Sequence, residues 1–446
     1  MFILKDLLTP LQEQFSNTRQ GQKRKIWFAY TLLAVIIPFT SSITSNLLRA
    51  LHTLFGLEVK SQRYYSFMAS STLPWKALWE KMWRNISEPA TDGMIITALD
   101  DSINPKSGKK IFGCGHFHNH ATKGNQSSYP WSQCIVVVGL LKKVKSRWAC
   151  LPLDFRFYMM AKDIKAKSPT AKRKGEMIEF ESKMEQAATM LLGIQKHFKQ
   201  RVLAVSDSWF GNDGLWSRVG RGKNEINLLS RLRTNIVMYD FVPTRPEGEK
   251  APRGRRRKYG ARLGNVNDLA AKYWDQAETY SVFLYGKQRD VQAFSQEVML
   301  KTMKCPIKVV WVFRRTRYIA LFTTDLSLSV EQIIEYYGAR WKIESGFKEI
   351  KQEIGSSKTQ TRNAYAVTNH LNFCMMATTL TWIYADRLQK MPDRKYKIKG
   401  RASFAFSDVR RIMAEAILDP DFQSICPLPT QTRQNSIIKT LLRMVA

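Results

Sequence analysis

Between residues 93 and 206 the chain alternates strand-like apolar runs with one long helix, and this order constrains the fold more than any other feature of the sequence. The strand-like runs cover residues 93–99, 110–114, 134–141 and 148–158. The third run, CIVVVGLL, is β-branched and apolar on both faces, as in a central strand. Apolar spacing predicts a helix over residues 175–200, and the run RVLAVS at 201–206 predicts another strand. This order predicts a mixed α/β layer with the helix packed on the sheet.

The rest of the chain falls into segments of different character. Residues 1–90 combine helical apolar spacing with frequent lysine and arginine, which predicts a small basic helical domain. Residues 208–328 predict a β-rich insertion. Its strand candidates are residues 236–241, 280–285, 307–314 and 318–323. The sheet core is thus predicted in two parts, 91–207 and 329–390, followed by a helical C-terminal tail at 391–446.

The sign of the charge indicates the partner. The 446 residues include 70 Lys+Arg against 37 Asp+Glu, a formal net charge of +33. Such a charge repels itself in a compact chain unless a polyanion neutralises it, so nucleic acid is the predicted partner. The hydrophobic fraction of 44% and charged fraction of 24% are close to globular averages, which excludes a disordered, collagen-like or coiled-coil chain.

Cysteine spacing and the apolar runs indicate the compartment. Six cysteines, at positions 114, 134, 150, 305, 374 and 426, include no C-x-x-C pair, which fits reduced cytoplasmic thiols better than disulfides or a zinc module. The apolar runs at 26–39 and 371–384 are 14 residues each, too short to span a bilayer. We therefore expect two buried helices, no membrane contact and a cytoplasmic location.

Two carboxylates stand at the ends of predicted buried strands. Asp100 follows GMIITAL and precedes Asp101, and Asp207 follows RVLAVS. Either residue taken alone fits a turn or a helix cap. A carboxylate at the end of a buried strand is costly unless a positive charge lies beside it. As a pair on strands of one sheet, Asp100 and Asp207 are therefore a candidate site for a divalent metal.

The helix predicted over residues 329–355 carries a polar stripe. At about 100° per residue, Tyr337, Glu344 and Lys351 lie within roughly 40° of one another, and Arg340 lies about 40° from Glu344. An adjacent apolar stripe would seat this helix on a core. Its members are Ile343, Phe347, Ile350 and Ile354. A simple Arg340–Glu344 surface pair would account for neither Tyr337 nor Lys351.

The stripe carries a family resemblance. Tyr337-x2-Arg340-x3-Glu344-x6-Lys351 (YGARWKIESGFKEIK) resembles the Y-x2-R-x3-E-x6-K signature of DDE transposases from bacterial insertion sequences, in the group named after insertion sequence four. Asp100-Asp101-Ser102 resembles the first-Asp segment of that family. Asp207-Ser-Trp-Phe-Gly-Asn resembles its second-Asp segment, and the resemblance extends over about residues 90–390.

The resemblance implies an RNase H-like mixed-sheet catalytic core interrupted by the β-rich insertion, with the helical domain before it and the helical tail after it. Asp100, Asp207 and Glu344 would form the acidic triad, with Asp101 the alternative first acid. Such a triad suits two Mg²⁺ ions, for which Mn²⁺ can substitute. Tyr337, Arg340 and Lys351 would lie at the DNA phosphates near the cleaved bond.

The activity implied is metal-dependent cleavage of double-stranded DNA at transposon ends, followed by strand transfer into target DNA. The helical N-terminal region would recognise terminal inverted repeats, and the synapsis of two ends implies a homodimer on DNA. A catalytically inactive derivative that only binds DNA and a structure-specific nuclease of the same fold are the alternatives.

Two further features have alternative interpretations. Trp311 could stack on a flipped DNA base, although its apolar strand favours core packing. The segment Cys114-Gly-His116-Phe-His118-Asn-His120 could place four metal-binding side chains on one strand face. Its spacing is not that of a standard zinc module, so we expect a groove-lining or phosphate-binding role.

Overall fold

The computed structural model describes residues 2–39, 41–119, 122, 124–244, 254, 257–396 and 403–426. The chain divides into two compact units. Unit A comprises Met1–Pro89, Asp101–Lys183 and Glu344–Ala446, and unit B comprises Ala90–Asp100 and Met184–Ile343. Each unit is described by itself.

Within the described residues, helices lie before and after the strands and recur between them. They are α1 (Ile3–Gln12), α2 (Arg19–Ile36), α3 (Thr44–Phe55), α4 (Ser61–Met68), α5 (Trp75–Arg84), α6 (Ala161–Lys165), α7 (Lys183–Phe198), α8 (Asp213–Trp216), α9 (Val266–Tyr273), α10 (Val330–Ala339), α11 (Trp341–Lys348), α12 (Ala364–Arg387), α13 (Phe406–Ile417) and α14 (Pro420–Ile425). A π-helical segment, Glu349–Glu353, follows α11. Short 3₁₀ turns are Pro169–Ala171, Trp274–Gln276 and Ser356–Lys358. None of the helices in these described ranges is long and apolar enough to cross a membrane.

Strands fill the middle of the chain. They are β1 (Ile95–Pro105), β2 (Cys114–His116), β3 (Trp131–Val144), β4 (Arg147–Tyr158), β5 (Lys172–Arg173), β6 (Glu176–Met177), β7 (Val202–Ser206), β8 (Ile226–Arg231), β9 (Val237–Tyr239), β10 (Arg262–Asn265), β11 (Glu278–Leu284), β12 (Lys287–Leu300), β13 (Cys305–Arg314) and β14 (Arg317–Thr323).

The core of unit A forms around α12. This helix is buried along nearly its whole length and packs against α2, α4, α5, α13 and β4. Its polar residues pair with the N-terminal helices, because Trp75 Nε1 donates to Asn369 Oδ1 and Trp79 Nε1 donates to Asn372 Oδ1, both at 2.7 Å. The expectation that the apolar runs at 26–39 and 371–384 are buried helices is confirmed.

Unit A also contains an antiparallel set of strands. β2 pairs with the beginning of β3, and β4 pairs with the rest of it, from Cys134↔Tyr158 to Val144↔Arg147. β3 is buried on both faces over most of its length, as its β-branched sequence predicts. The six cysteine thiols of the chain are free.

Unit B contains a mixed sheet in the order β10-β9-β12-β13-β14-β8-β7-β1, with β11 added on β12. β7 runs parallel to both β1 and β8, and the remaining pairs are antiparallel. β8 thus extends the sheet of β7, and the strands that follow it continue the same sheet. The mixed α/β prediction is confirmed, whereas the predicted domain boundaries stay predictions.

Several predicted elements are wrong in detail. Residues 110–114 form a turn, because Gly113 takes a left-handed φ of 82° and only Cys114 enters β2. The predicted helix at 175–200 begins only at Lys183, since residues 175–178 belong to the β5–β6 hairpin and its flank. The strand β12 was missed, because it is long, polar and largely exposed where it pairs with β11.

His370 provides a pH-dependent test of the core of unit A. Its ring lies fully buried on α12 and donates to the carbonyl of Ser42 at 2.6 Å, and burial lowers the pKa of His370 from 6.5 to about 4. The unfolded chain therefore binds a proton below pH 6.5 that the folded chain does not bind. This group stabilises the fold above pH 6.5, and its contribution falls toward pH 4 by up to about 1.4 kcal/mol per pH unit.

We expect His370→Gln to flatten the decline of the urea unfolding free energy between pH 6.5 and 4.5, relative to wild type. An unchanged decline in the variant would contradict the assignment of a buried neutral imidazole.

Candidate active site

Asp100 and Asp207 lie beside each other on neighbouring parallel strands of unit B, Asp100 within β1 and Asp207 directly after β7. The register of β1 and β7 runs from Ile95↔Val202 to Leu99↔Ser206, so Asp100 and Asp207 are the next residues on the two strands. Parallel strands lie about 4.8 Å apart, and residues in register point to the same side of the sheet. The prediction that Asp100 follows the end of its strand is wrong, because β1 continues to Pro105. The register nevertheless places Asp100 opposite Asp207.

A tight turn fixes Asp207. Its Oδ1 accepts hydrogen bonds from the backbone N–H groups of Trp209 at 3.0 Å and Phe210 at 3.3 Å. Ser230 Oγ donates to the Asp207 carbonyl at 2.7 Å. Gly211 is required here, because a Cβ at this position would lie 2.2 Å from Ser230 Oγ. The sequence DSWFGN thus forms an Asx turn in which the backbone of Gly211 lies close to the side chain of Ser230.

Arg340 brings the compensating positive charge. Its side chain is 7% exposed, and Nη1 lies 3.4 Å from Asp100 Oδ2. The guanidinium lies 5.7 Å from the ring centre of Tyr337 and 5.2 Å from that of Trp341. A capping box between Ser329 and Gln332 starts α10, the helix that leads to these residues.

Tyr337 lies in the same group of charges. Burial raises the pKa of its phenol above the ordinary value, Arg340 and Arg231 oppose that rise, and Asp207 adds to it. The predicted residues Asp100, Asp207, Tyr337 and Arg340 thus lie together in unit B.

Asp101 has different surroundings, in unit A. Its Oδ2 lies 2.9 Å from Lys183 Nζ and accepts from Cys134 Sγ at 3.5 Å. Burial raises the pKa of the Cys134 thiol to about 12, so this thiol is neutral. Side chains alternate along a strand, which directs Asp101 to the face opposite Asp100. Lys183 and Cys134 were not predicted as neighbours, because no local spacing links them to Asp101.

Glu344 and Lys351 belong to unit A. Glu344 lies in the first turn of α11. Lys351 lies in the π-helical segment, where its Nζ donates to Ser102 Oγ at 2.6 Å and to the carbonyl of Ile103 at 2.7 Å.

The expectation of one continuous helix over 329–355 is wrong. α10 ends before Arg340, and a π-helical segment follows Lys348, so the uniform step of about 100° per residue behind the predicted stripe does not apply as far as Lys351. The π segment accompanies a buried contact in which Glu349 Oε2 accepts from Trp382 Nε1 at 3.0 Å. Gly355, with φ of 82°, follows the segment. The apolar stripe of Ile343, Phe347, Ile350 and Ile354 is buried as predicted.

The histidine segment and Trp311 have structural partners. His116 Nδ1 lies 3.0 Å from the carbonyl of Tyr129, and the His118 ring packs on the Tyr129 ring at 5.1 Å. His120 lies outside the described residues. Trp311 is fully buried and donates to the carbonyl of Val266 at 3.1 Å, which favours core packing over base stacking.

The described residues form no cluster of three or more potential metal ligands, that is, of His, Cys, Asp and Glu side chains close enough together to hold a metal ion. The triad of Asp100, Asp207 and Glu344 therefore stays a prediction. What the structure supplies is the donor chemistry of the pair, two carboxylates on one side of the sheet, which fits a hard divalent cation.

Comparison with known proteins gives one family. A family model described as DDE superfamily endonuclease matches residues 10–288, well over half of the chain. The match includes Asp100 and Asp207 and ends before Tyr337. No curated protein matches the chain.

A double-mutant cycle tests the Arg340–Asp100 pair. Because the Arg340 side chain is buried, we expect Arg340→Met and Asp100→Asn to be coupled by about 1–3 kcal/mol in urea unfolding. The matched control is Arg218 with Glu185, whose N–O distance is also 3.4 Å but whose side chains are 40% and 47% exposed. That pair should couple by less than about 1 kcal/mol. Equal coupling in the two cycles would contradict a buried charge pair at the site.

Proposed function

Because the chain belongs to the DDE superfamily endonucleases, we propose that it is a transposase that cuts DNA at transposon ends and joins the freed ends to target DNA. The observation that carries the proposal is the β1–β7 register, which directs Asp100 and Asp207 to the same side of the sheet. Arg340 adds a buried positive charge beside Asp100. Carboxylates next to a fixed guanidinium suit chemistry at a phosphodiester.

Asp100, Asp207 and Glu344 are the proposed ligands of divalent metal, with Mg²⁺ the expected ion and Mn²⁺ its substitute. Metal held there would lower the pKa of an attacking water or 3′-hydroxyl and stabilise the leaving oxygen. Asp100 is proposed over Asp101 as the first acid, because the register places Asp100, and not Asp101, opposite Asp207.

The remaining residues position the DNA. Arg340 lies close to the rings of Tyr337 and Trp341, and its planar guanidinium can bind phosphate oxygens with two parallel hydrogen bonds. Tyr337 keeps its proton, because burial raises its pKa, and can donate to a phosphate oxygen. Lys351 is proposed to neutralise phosphate, since its Nζ contacts Ser102 and Ile103, the residues that follow Asp100 and Asp101 in β1.

The finer assignments rest on the sequence resemblance. They are membership of the group named after insertion sequence four, an RNase H-like core, recognition of terminal inverted repeats by the helical N-terminal region, and a homodimer on DNA. The parallel pairing of β1 with β7 and of β7 with β8 supports the RNase H-like interpretation. The cytoplasmic location stays a prediction.

The test is an assay of cleavage and joining. A labelled duplex that carries the flanking ends of the gene is incubated with the chain, a target plasmid and Mg²⁺ or Mn²⁺. We expect metal-dependent nicking and covalent joining of 3′ ends to the plasmid, and a loss of at least about 100-fold in Glu344→Gln, because a metal ligand is removed.

Two outcomes would overturn the proposal. Cleavage without joined product would favour the structure-specific nuclease. DNA binding with no cleavage by wild type or variant would favour the inactive DNA-binding derivative.

A second pair of variants separates the two adjacent aspartates. We expect Asp100→Asn to abolish nicking, because it removes a carboxylate beside Asp207, whereas Asp101→Asn should keep nicking within about tenfold of wild type. Both proteins should be compared at equal folded fraction by circular dichroism. If Asp101→Asn abolished nicking and Asp100→Asn retained it, Asp101 would be identified as the first acid.

A further inference from the structure

Three separate segments of unit A bring cationic side chains to one surface. The segments are the turn before β2, the β5–β6 hairpin and the loop before α12. Their exposed cations, here called the basic face, are Lys109, Lys110, Lys172, Arg173, Lys174 and Arg362. No sequence motif joins these positions, which lie up to about 250 residues apart in the printed sequence.

A small apolar cluster fixes the three segments to one another. Phe112, Ala171 and Ala364 each come from a different segment and are buried together. The Phe112 N–H donates to the carbonyl of Arg362 at 3.3 Å, and the Gly113 N–H donates to the carbonyl of Thr170 at 3.0 Å. The three segments of the basic face are therefore fixed to one another by apolar packing and hydrogen bonds.

A buried lysine strengthens the same support. Lys106 Nζ donates to the carbonyls of Ser357 and Thr359, both at 2.8 Å. Gln360 Oε1 accepts from the N–H groups of Ser107 and Gly108 at 3.2 and 3.3 Å. These bonds hold the turn before β2 against the loop before α12.

Aromatic rings hold the cations at the centre of the face. The Arg173 guanidinium lies 5.2 Å from the ring centre of Phe112 and 5.8 Å from that of Tyr365, and Lys174 Nζ lies 5.8 Å from the Tyr365 ring. A guanidinium stacked on a ring keeps its N–H edge for an anion and has little rotamer freedom left to lose on binding.

Carboxylates do not balance this charge. Among the described residues, none of the six cations of the basic face forms a salt bridge, although Glu176 lies opposite Arg173 in the hairpin register. Elsewhere in unit A, Lys142 and Lys183 have carboxylate partners. A fixed, uncompensated cluster of this kind attracts a polyanion with regularly spaced charges.

We propose that the basic face is a docking site for the phosphate backbone of duplex DNA, separate in sequence from Tyr337 and Arg340. The inference rests on the proposed function for its choice of duplex DNA as the polyanion. Phosphate contacts of this kind fix the position of a duplex without reading its sequence. The face therefore binds DNA of any sequence.

The test measures binding without cleavage. Fluorescence anisotropy with a 30-bp duplex of arbitrary sequence in EDTA gives Kd between 50 and 200 mM salt for wild type and for the triple variant Lys172→Gln, Arg173→Gln, Lys174→Gln. Each lost phosphate contact lowers the slope of log K against log salt by about 0.9. Three lost contacts should make the negative slope less steep by about 2.7. The loss of affinity relative to wild type is therefore largest at low salt.

The matched control removes the same charge from another hairpin tip. Arg314→Gln, Arg315→Gln and Arg317→Gln change three exposed arginines at the β13–β14 turn, which has a left-handed residue at Arg315 as the β5–β6 turn has at Lys174. Both triples lower the net charge by three, and both should keep the wild-type unfolding temperature.

The results separate this inference from the proposed function. A less steep salt dependence of log K in the triple variant at positions 172–174, with a nearly wild-type salt dependence in the control variant, would support DNA binding by the basic face. Equal slopes in the two triples, or a wild-type slope in the first, would overturn it while leaving the nuclease assignment intact. A wild-type chain that does not bind duplex at all would instead contradict the proposed function.

Discussion

The parallel pairing of β1 with β7 is the constraint on which the candidate site depends. It directs Asp100 and Asp207 to the same side of the sheet, where two neighbouring carboxylates repel each other. Arg340 offsets part of this repulsion with a buried guanidinium 3.4 Å from Asp100. Two carboxylates on one side of the sheet beside a buried guanidinium favour a function that uses both carboxylates.

Close packing fixes the positions of Asp207 and Arg340. Ser230 and Gly211 hold the turn at Asp207 through a close approach that tolerates no side chain at position 211. Tyr337 and Trp341 flank Arg340 on two sides. Asp207 and Arg340 are therefore both held by contacts with neighbouring residues, which is how a preorganised site avoids rearrangement during reaction.

Several strands and the pairing of Asp100 with Asp207 on one sheet could be predicted from sequence because their signals are local. β3 and β7 are apolar runs of the expected length, and Asp100 and Asp207 directly follow such runs. The single helix over 329–355 could not be corrected from spacing, since the π segment goes with a buried contact between Glu349 and Trp382, 33 residues apart. The partner of Asp101 was likewise hidden, because Lys183 lies 82 residues away. The basic face required the fold, since three distant segments meet on one apolar cluster.

The central claim is that Asp207, with Asp100, holds divalent metal, and a Mn²⁺ titration followed by electron paramagnetic resonance tests it most directly. Asp213 is the matched control, because it lies in the same unit and already pairs with Arg221 at 2.6 Å. The account predicts that wild type and Asp213→Asn immobilise Mn²⁺ and that Asp207→Asn does not. Mn²⁺ binding by Asp207→Asn with wild-type affinity would contradict it.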